Sequence, residues 1–588
     1  MAISLKTVAI SSCVIIIIIA IAVPLILFAG KSSNPEPSGK KCQNIQDNVK
    51  KLIDEGGKYL DYKEIFDDSW PFYFEDYKVT GHYLNVTSLR YLSENDTNNH
   101  IWWHRVIVYI PDDDNLDHSI ANSIFFNNGD GDIRDENGNF LSIDELRPVT
   151  GVNMFVTLAS YTGTVVVDMY DNPNQYLKYF EENANNQDRR EDGIIAYSWR
   201  HYIEQVINDR SNLSHEPFNP DIENLSWILQ IPMTKAVVKT FNAVQDFLLD
   251  EIDLKVDSYA ISGMSKRGWT SWLTAALDDR VFISLPKVFD LLETQKTLHS
   301  HYRALKGWSF AFSPYWYEDL TLYLDDEAFE EMACLIDPSN WLEEYNLSNR
   351  SLPIYHTGTT GDEFFLITNA NSYLKNFKNL HNNTRIRYLH NMEHSMDGEG
   401  LFQYDSIIAL RNMYVAAAKG KSHFDKIIPN YAWTTSQNGT YGEIVVWLNA
   451  EDTIGDPVLK VYVADTLLHE ADPIGKNMDF RLAKLNNDFD LVPSPILWNR
   501  SKLTSQAKIE IIPDQKFKWK ITMPALENPD QGYRAFYVDI EIDMGEEGGK
   551  FLNGREENVL TLSTEAVIMP GDFRNDDCFG EDCYGFLV

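Results

Sequence analysis

The chain has 588 residues, of which 44% are hydrophobic and 13% aromatic, so it is not disordered throughout and is long enough for two to four domains. With 51 Lys and Arg against 87 Asp and Glu, its formal net charge of −36 opposes binding to phosphate backbones and to anionic membrane surfaces. We therefore expect no nucleic-acid partner.

An uncharged, strongly apolar segment runs from Thr7 to Gly30. Crossing a bilayer as a helix takes about 20 apolar residues, whereas the apolar part of a cleaved signal has about 7–15. Residues 1–30 are therefore predicted to be a signal anchor or a cleaved signal peptide, and residues 31–58 a stalk or linker. Either route leads to an oxidising lumen or the cell exterior, so we expect a secreted protein or a membrane-anchored one with lumenal or extracellular domains.

Two features downstream of this segment agree with an extracytoplasmic location. Cys578 and Cys583 are spaced for a small disulfide loop and not for a metal site, because zinc would require a nearby His or second Cys pair. The chain also carries frames for N-glycosylation, which arise by chance as well. These frames are at Asn85, Asn95, Asn212, Asn224, Asn346, Asn349, Asn382, Asn438 and Asn499.

Residues 59–425 alternate apolar runs of strand length with longer segments of helical periodicity. The runs Val106–Ile110, Ser123–Phe126 and Val152–Val156 are strand-like, whereas Lys235–Asp250 repeats apolar residues at helical spacing. Such alternation predicts an α/β domain around a mostly parallel sheet.

Residues 430–588 have a different character. Short alternating runs are separated there by Asn, Gly, Pro and Asp, which predicts an all-β sandwich domain. The runs are Glu443–Leu448, Val458–Val463, Lys508–Ile512, Lys518–Thr522 and Arg534–Val538.

A candidate nucleophile lies between a predicted strand and a predicted helix. The sequence Gly263-Met-Ser265-Lys-Arg267-Gly268 forms a tight turn there, as in a nucleophile elbow that lifts a serine hydroxyl above a sheet. The usual frame is G-x-S-x-G, and here Arg267 takes the place of the second glycine. We predict that Ser265 is the nucleophile.

Serine needs a general base to accept its proton and a carboxylate to orient that base. In the α/β-hydrolase order the acid and then the histidine follow the serine. Asp362 and His394 each follow a strand-like run, so they are predicted to be the orienting acid and the general base. The rival acids are Glu363 and Asp290, and the weaker histidine candidates are His356, His381 and His390.

The oxyanion of an attacked carbonyl needs N–H donors placed in advance. The backbone N–H of Lys266 is predicted to be one donor, and Asn128, in the loop after an early strand, is the candidate for the second. That loop could instead be an Asx turn or a calcium loop, although no EF-hand frame is present. The pair Lys266-Arg267 could bind a substrate carboxylate, but a buried structural salt bridge of Arg267 is favoured.

Several motifs together resemble the PhoPQ-activated pathogenicity-related protein family over most of residues 73–563. They are Trp103-His104, Asn172–Gln175, Arg190–Trp199, Pro232–Lys235, the elbow, Asp278-Asp279-Arg280, Gly361–Phe365 and Asn477–Arg481. The resemblance implies an α/β-hydrolase core, similar to that of dipeptidyl peptidases and prolyl oligopeptidases, followed by a β domain. It points to the same Ser265, Asp362 and His394.

Two hypotheses of function follow. The first is an extracytoplasmic serine hydrolase without a cofactor or metal, which acts on a small peptide or ester through an acyl-enzyme. The alternative is a secreted or membrane-tethered autocrine repressor of cell proliferation that uses a hydrolase scaffold to bind a cell-surface receptor, as the resemblance to repressor-like family members implies. The ordered Ser265, Asp362 and His394 favour the hydrolase.

Overall fold

The computed structural model describes a set of ranges within the chain, and the account below concerns these residues. The ranges are 38–64, 70–74, 77–129, 150–181, 187–212, 222–342, 350–374, 383–396, 401–448, 456–466, 477–486, 488–494, 496–499, 507–512, 517–545 and 558–588. The segment predicted to be a signal anchor or signal peptide lies outside them. No helix of the described ranges is both long and apolar enough to span a bilayer.

Helices and strands alternate through the first three quarters of the chain, and strands dominate thereafter. The helices are α1 Ser38–Asp54, α2 Thr150–Thr162, α3 Asp192–Asn212, α4 Ile222–Trp227, α5 Gln230–Ile252, α6 Lys266–Leu277, α7 Thr294–Leu305, α8 Ser313–Tyr317, α9 Glu327–Ile336, α10 Leu401–Ala418 and α11 Lys421–Ile427. The strands are β1 Asp61–Glu64, β2 Trp70–Phe74, β3 Tyr77–Arg90, β4 Ile101–Pro111, β5 Ser123–Asn128, β6 Val166–Met169, β7 Ser258–Met264, β8 Val281–Lys287, β9 Ile354–Thr359, β10 Thr384–Leu389, β11 Tyr431–Gln437, β12 Tyr441–Leu448, β13 Val458–Asp465, β14 Ala483–Leu485, β15 Leu491–Pro493, β16 Lys508–Ile511, β17 Lys518–Pro524, β18 Arg534–Asp543, β19 Val559–Ser563 and β20 Val567–Met569.

The large sheet has the strand order β1-β3-β4-β6-β5-β7-β8-β9-β10, with β2 paired to β3. Strand β4 is antiparallel to both neighbours, whereas the ladders from β6 through β10 are parallel. Strands β5, β6, β9 and β10 are buried along their whole length, as expected when helices cover both faces of a parallel sheet. This is the topology of an α/β-hydrolase core, and the predicted fold class is confirmed.

Helix α5 covers one face of this sheet and contains the predicted helix Lys235–Asp250. Its apolar stripe, which includes Val237, Phe241 and Val244, is fully buried. The prediction of a strand at Val152–Val156 is wrong, because these residues belong to helix α2. A short apolar run cannot by itself distinguish a buried helix from a strand, and here the helix extends over 13 residues.

The predicted linker over residues 31–58 is wrong from Ser38 onward, because Ser38–Asp54 is helix α1. Its apolar residues Ile45, Val49 and Ile53 are buried in the main core. A disulfide between Cys42 and Cys334 ties the helix to α9 across a sequence separation of 292 residues. These apolar positions have helical spacing, but the Ser, Pro, Gly and Lys residues that precede them led to the prediction of a linker.

Removing the Cys42–Cys334 disulfide is expected to lower the free energy of unfolding by about 2–4 kcal/mol, because the disulfide restricts a very long loop in the unfolded chain. The measurement is urea unfolding of the Cys42→Ser/Cys334→Ser double variant against the unaltered protein. The matched control is Cys578→Ser/Cys583→Ser, which opens a loop with a sequence separation of only 5 and should cost less. An equal loss in both variants would contradict this ranking.

The carboxyl-terminal strands form two four-stranded antiparallel sheets, β11-β12-β17-β16 and β13-β18-β19 with β20 paired to β18. Their inner faces share one apolar core, in which Ile444 and Ile521 of the first sheet meet Val538 and Leu562 of the second. The same core includes Met413 of α10, so the sandwich packs directly on the hydrolase unit. Alternating burial along β12 and β17 explains why the sequence pattern predicted these strands.

The last residues of the chain do not belong to the sandwich, although the prediction placed them there. Cys578 and Cys583 form the predicted disulfide, and the segment after it returns to the hydrolase unit. Leu587 forms a parallel bridge with Trp308. Trp308 donates its backbone N–H to Phe586 O and accepts the N–H of Val588, at 2.9 and 2.8 Å. The carboxyl-terminal segment therefore contributes to the structure around Trp308.

The candidate glycosylation sites differ in exposure. Asn95 and Asn438 are exposed, and Asn85, Asn224 and Asn499 are half-buried. The Oδ1 atom of Asn85 is buried. Asn346, Asn349 and Asn382 lie outside the described residues, as does the side chain of Asn212.

Candidate active site

Ser265 occupies a sharp turn between the end of β7 and the start of α6. Its backbone has φ 58° and ψ −128°, a left-handed φ that L-residues rarely adopt. Its N–H donates to Lys287 O at the end of β8, at 2.9 Å. A strained residue at this point of a strand-turn-helix unit is the geometry of a nucleophile elbow.

Two glycines make this turn sterically possible. A Cβ on Gly263 would lie 2.4 Å from Arg267 O, and a Cβ on Gly268 would lie 2.7 Å from Lys287 O. Both contacts are with backbone atoms that cannot move aside. The second glycine is therefore required at 268, where α6 passes β8, which explains why position 267 can hold arginine.

The structure brings together Ser265, His394 and Asp362. The Ser265 Oγ lies 2.7 Å from His394 Nε2, and His394 Nδ1 lies 3.0 and 3.1 Å from the two carboxylate oxygens of Asp362. A carboxylate can only accept, so Nδ1 donates to Asp362 and Nε2 is left to accept from the serine. Backbone N–H groups of Phe364 and Phe365 each donate to Asp362 Oδ1 at 2.8 Å and fix the carboxylate.

The rival acids have other partners. Glu363 Oε2 accepts the backbone N–H of His394 at 3.1 Å, so this residue supports the histidine loop without touching the imidazole. Asp290 accepts a hydrogen bond from Tyr373 Oη, and burial raises the pKa of Asp290 to about 7. Neither carboxylate contacts the His394 ring through a hydrogen bond.

The other candidate histidines lie apart from the serine or outside the description. His356 is buried within β9, where burial lowers its pKa to about 4. His390 stacks on Tyr462 of the β-sandwich, with ring centroids 4.5 Å apart. His381 lies outside the described residues.

Electrostatics set the protonation of His394. Burial alone would lower its pKa, but the adjacent Asp362 carboxylate outweighs burial and raises the pKa above the ordinary value of 6.5. The ring is also flanked by Phe364 and Phe365, with centroids 4.7 and 5.5 Å away. An imidazolium that forms when the serine loses its proton is therefore stabilised by the carboxylate.

The raised pKa of His394 predicts how kcat/KM falls at low pH. The general base must be unprotonated to accept the Ser265 proton, so kcat/KM should fall as pH decreases through the pKa of His394. The midpoint is expected above 6.5, because Asp362 favours the charged ring. The measurement is kcat/KM for a neutral ester from about pH 5 to pH 9. A midpoint below 6.5 would contradict the assignment.

Lys266 is the first residue of helix α6, so its backbone N–H has no acceptor within the helix and is suited to an oxyanion. Asn128 lies beside Gly263 in the β5–β7 ladder. Its Oδ1 accepts from Asn172 Nδ2 at 3.2 Å, and its own Nδ2 is buried without a hydrogen-bond partner among the described residues. Residues 130–149 lie outside the described part of the chain.

The side chains of Lys266 and Arg267 form a buried ionic cluster with Glu191 and Asp192. Lys266 Nζ lies 2.8 Å from Glu191 and 3.0 Å from Asp192, and Arg267 Nη2 lies 2.7 Å from Glu191. The favoured prediction of a buried salt bridge for Arg267 is therefore confirmed. Glu191 and Asp192 were not predicted as site residues, although they belong to a motif that carried the family resemblance.

A cavity opens beside Ser265 and encloses about 650 Å³ of unfilled space, including its opening to solvent. Its wall is mostly aromatic and aliphatic, and Ser265 and Lys266 lie at its edge. The aromatic part includes Trp199, Trp269, Trp308, Phe312 and Phe329. The sequence did not predict this cavity, because its wall combines residues from α3, α6, α9 and the segment before α8.

The chain is similar in sequence to known proteins. The model of the family described as PhoPQ-activated pathogenicity-related protein matches residues 73–468. Autocrine proliferation repressor protein A of Dictyostelium discoideum is 27% identical over 501 residues, which cover 85% of this chain and 87% of that protein.

Solved structures similar to this chain include two esterases. Acetyl xylan esterase 1 from Thermoanaerobacterium sp. JW/SL YS485 has a TM-score of 0.35 and 13% identity, covering 62% of this chain and 94% of its own. The glucuronoyl esterase from Solibacter usitatus has a TM-score of 0.33 and 10% identity, covering 61% and 89%.

Proposed function

We propose that this chain, which belongs to the PhoPQ-activated pathogenicity-related protein family, is a serine hydrolase that cleaves an ester or peptide bond through an acyl-enzyme. The observation that carries the proposal is the continuous hydrogen-bonded series from Ser265 through His394 to Asp362. Nucleophile, base and orienting acid are thus all within hydrogen-bond distance, on the elbow and strand ends of an α/β-hydrolase sheet.

The geometry supports a two-stage reaction. Ser265 Oγ attacks the carbonyl carbon while His394 Nε2 accepts its proton, and the N–H of Lys266 stabilises the oxyanion. When the carbonyl reforms, the bond to the leaving group breaks and His394 returns the proton to the leaving oxygen or nitrogen. Water then attacks the acyl-enzyme with His394 as base, and the acid product and free Ser265 are released.

The test is labelling of the purified full chain with a fluorophosphonate probe, which reacts with activated serines. Labelling is expected for the unaltered protein and absent for Ser265→Ala and His394→Ala. Ser436→Ala, at an exposed serine of β11, is the matched control and should label normally. Folded, unaltered protein that does not react would overturn the proposal.

We also propose that the described part of the chain is extracytoplasmic. The apolar segment Thr7–Gly30 supports this location, as do the disulfides Cys42–Cys334 and Cys578–Cys583, which persist in oxidising compartments. Treatment of the protein from its native cells with a peptide N-glycosidase should increase its mobility in a gel. The Asn95→Gln/Asn438→Gln variant should show a smaller change, because these two sites are exposed. Unchanged mobility and free thiols would contradict the proposal.

A second candidate function is extracellular signalling, and the specific observation is similarity to a protein named an autocrine proliferation repressor along most of both chains. In this case the hydrolase scaffold would bind a receptor. The test adds purified full chain, unaltered or with Ser265→Ala, to cells of the species that produces it. Slower proliferation with both proteins would favour signalling independent of catalysis, whereas an effect confined to the unaltered protein would favour hydrolysis.

A further inference from the structure

We propose that the substrate carries an apolar group next to the scissile bond, an aromatic ring or an alkyl chain, and that this group lies in the cavity beside Ser265. The inference rests on the proposed hydrolase function. The cavity adjoins Ser265 and Lys266, the candidate nucleophile and the candidate oxyanion donor. Sites that bind small molecules are typically concave and lined mainly by apolar and aromatic side chains around a few polar groups.

The wall of the cavity is apolar over most of its area. Trp199, Trp308 and Phe329 are almost fully buried within the protein but still line the cavity. Leu298 of α7 and Leu324, before α9, add aliphatic surface. When an apolar group of the substrate enters the cavity, its surface and the surface of this wall are both buried away from water. Each methylene of the group is therefore expected to favour binding.

Lys266 and Asp192 line the cavity, and they belong to a cluster in which opposite charges are paired. Two cations, Lys266 and Arg267, are paired with two anions, Glu191 and Asp192. Burial would by itself raise the pKa of Glu191, but Arg267 and Lys266 outweigh it and hold this pKa far below its usual range. Glu191 and Lys266 therefore remain charged, and a charged substrate group would have to compete with partners already in contact.

Three polar atoms of the aromatic wall have hydrogen-bond partners within the protein. Trp199 Nε1 donates to Gln230 at 3.0 Å, and Trp308 Nε1 donates to Cys583 O at 2.8 Å. Tyr315 Oη donates to Asp192 Oδ1 at 2.9 Å. Thr321 Oγ1 is buried and has no partner within the described part of the wall. Polar groups of a substrate would find few partners here, so the wall selects against them.

The experiment compares two series of neutral esters on the full chain. One series lengthens the acyl group of p-nitrophenyl esters from acetyl to octanoyl, and the other lengthens the alcohol of acetate esters over the same range. Burial of each methylene is expected to raise kcat/KM by about threefold to fourfold. We therefore expect an increase of at least about 100-fold along one series, and that series identifies the side of the scissile bond that enters the cavity.

Two further comparisons make the test specific. An octanoyl ester with a carboxylate at the far end of its chain should be at least about 100-fold poorer than the octanoyl ester, because the wall offers no unpaired cation. Leu324→Trp, which fills part of the cavity, should lower the octanoyl-to-acetyl ratio of kcat/KM at least about tenfold. Tyr317→Ser is the matched control, since this side chain is 71% exposed, and the ratio should not change.

The outcomes separate this inference from the proposed function. One outcome is that the fluorophosphonate labels Ser265 while kcat/KM stays constant along both ester series or is highest for their shortest members. In that case the proposed substrate class is wrong, but the hydrolase proposal is retained. If folded protein neither reacts with the probe nor cleaves any ester, the hydrolase proposal fails and the substrate class fails with it. The series on the unaltered protein decides the question even if Leu324→Trp does not fold.

Discussion

Replacing His394 with alanine is expected to lower kcat about a million-fold, and Ser265→Ala should have an effect of the same size. The reason is that the two side chains act as one unit, joined by a hydrogen bond of 2.7 Å between Ser265 Oγ and His394 Nε2. Without the base, the hydroxyl keeps its proton; without the hydroxyl, the base has nothing to activate. The Ser265→Ala/His394→Ala double variant should therefore be no slower than either single variant.

The measurement is single-turnover and steady-state hydrolysis of the best ester found for the unaltered protein. His390→Ala is the matched control, because His390 lies four positions away on the same loop and stacks on Tyr462 instead of contacting Ser265. Its rate should stay within about threefold of the unaltered rate. Losses that multiply in the double variant, or a loss below about tenfold for His394→Ala, would contradict a shared role.

Arg481→Ala is expected to lower the free energy of unfolding by about 3–5 kcal/mol, because it leaves Asp479 charged and buried without its main partner. Arg481 donates to both carboxylate oxygens of Asp479, at 2.9 and 2.8 Å. It also donates to Ser309 Oγ at 3.0 Å and Val588 O at 2.9 Å. One guanidinium thus joins three segments that are far apart in sequence, and only 1% of it is exposed.

The Arg481→Ala substitution should also disturb the active site. Leu482, the next residue, donates its N–H to Gly361 O at 3.1 Å, and Gly361 precedes the carboxylate that orients His394. Arg481 is thus a positioning residue, and slower fluorophosphonate labelling should accompany the lower stability. Urea unfolding followed by tryptophan fluorescence measures the first effect.

A double variant distinguishes the loss of the whole Asp479–Arg481 ion pair from the loss of one of its charges. Asp479→Leu/Arg481→Met removes both charges and should lose less than about half as much stability as Arg481→Ala, because no buried charge is left alone. A loss below about 1 kcal/mol for Arg481→Ala, or an equally large loss in the double variant, would mean that the ion pair is not the source of the stability.

The sequence predicted the three residues of the candidate site because each follows a strand, and strand ends of a parallel sheet meet at one edge. Ser265, Asp362 and His394 were identifiable from local patterns of about ten residues each. The second oxyanion donor was harder to predict, because it depends on how a loop folds over the sheet edge. Asn128 has a buried amide donor beside the elbow strand, and its role as oxyanion donor stays a prediction.

Features that depend on contacts between distant segments were missed. The apolar residues of α1 have helical spacing but follow a stretch rich in Ser, Pro, Gly and Lys that resembles a linker. Nothing in the local sequence pairs Cys42 with Cys334. The run Val152–Val156 looked like a strand because five residues are too few to reveal helical periodicity. The cavity is composed of single residues from many elements, so no local pattern encodes it.

The hydrogen bonds between Trp308 and the residues Phe586 and Val588 have a consequence for how the molecule is made on the ribosome. Domains generally fold from the amino end as they emerge during synthesis. Here the disulfide that holds α1 cannot form until Cys334 has been synthesised. The aromatic wall cannot be completed until the residues that pair with Trp308 have been synthesised, and these come after the entire β-sandwich. A nascent chain that stalls within the sandwich already contains the serine, the histidine and the aspartate, but the compartment that would receive a substrate is still unfinished. The proposed hydrolase would therefore become competent only late in translation, after the entire β-sandwich has been synthesised.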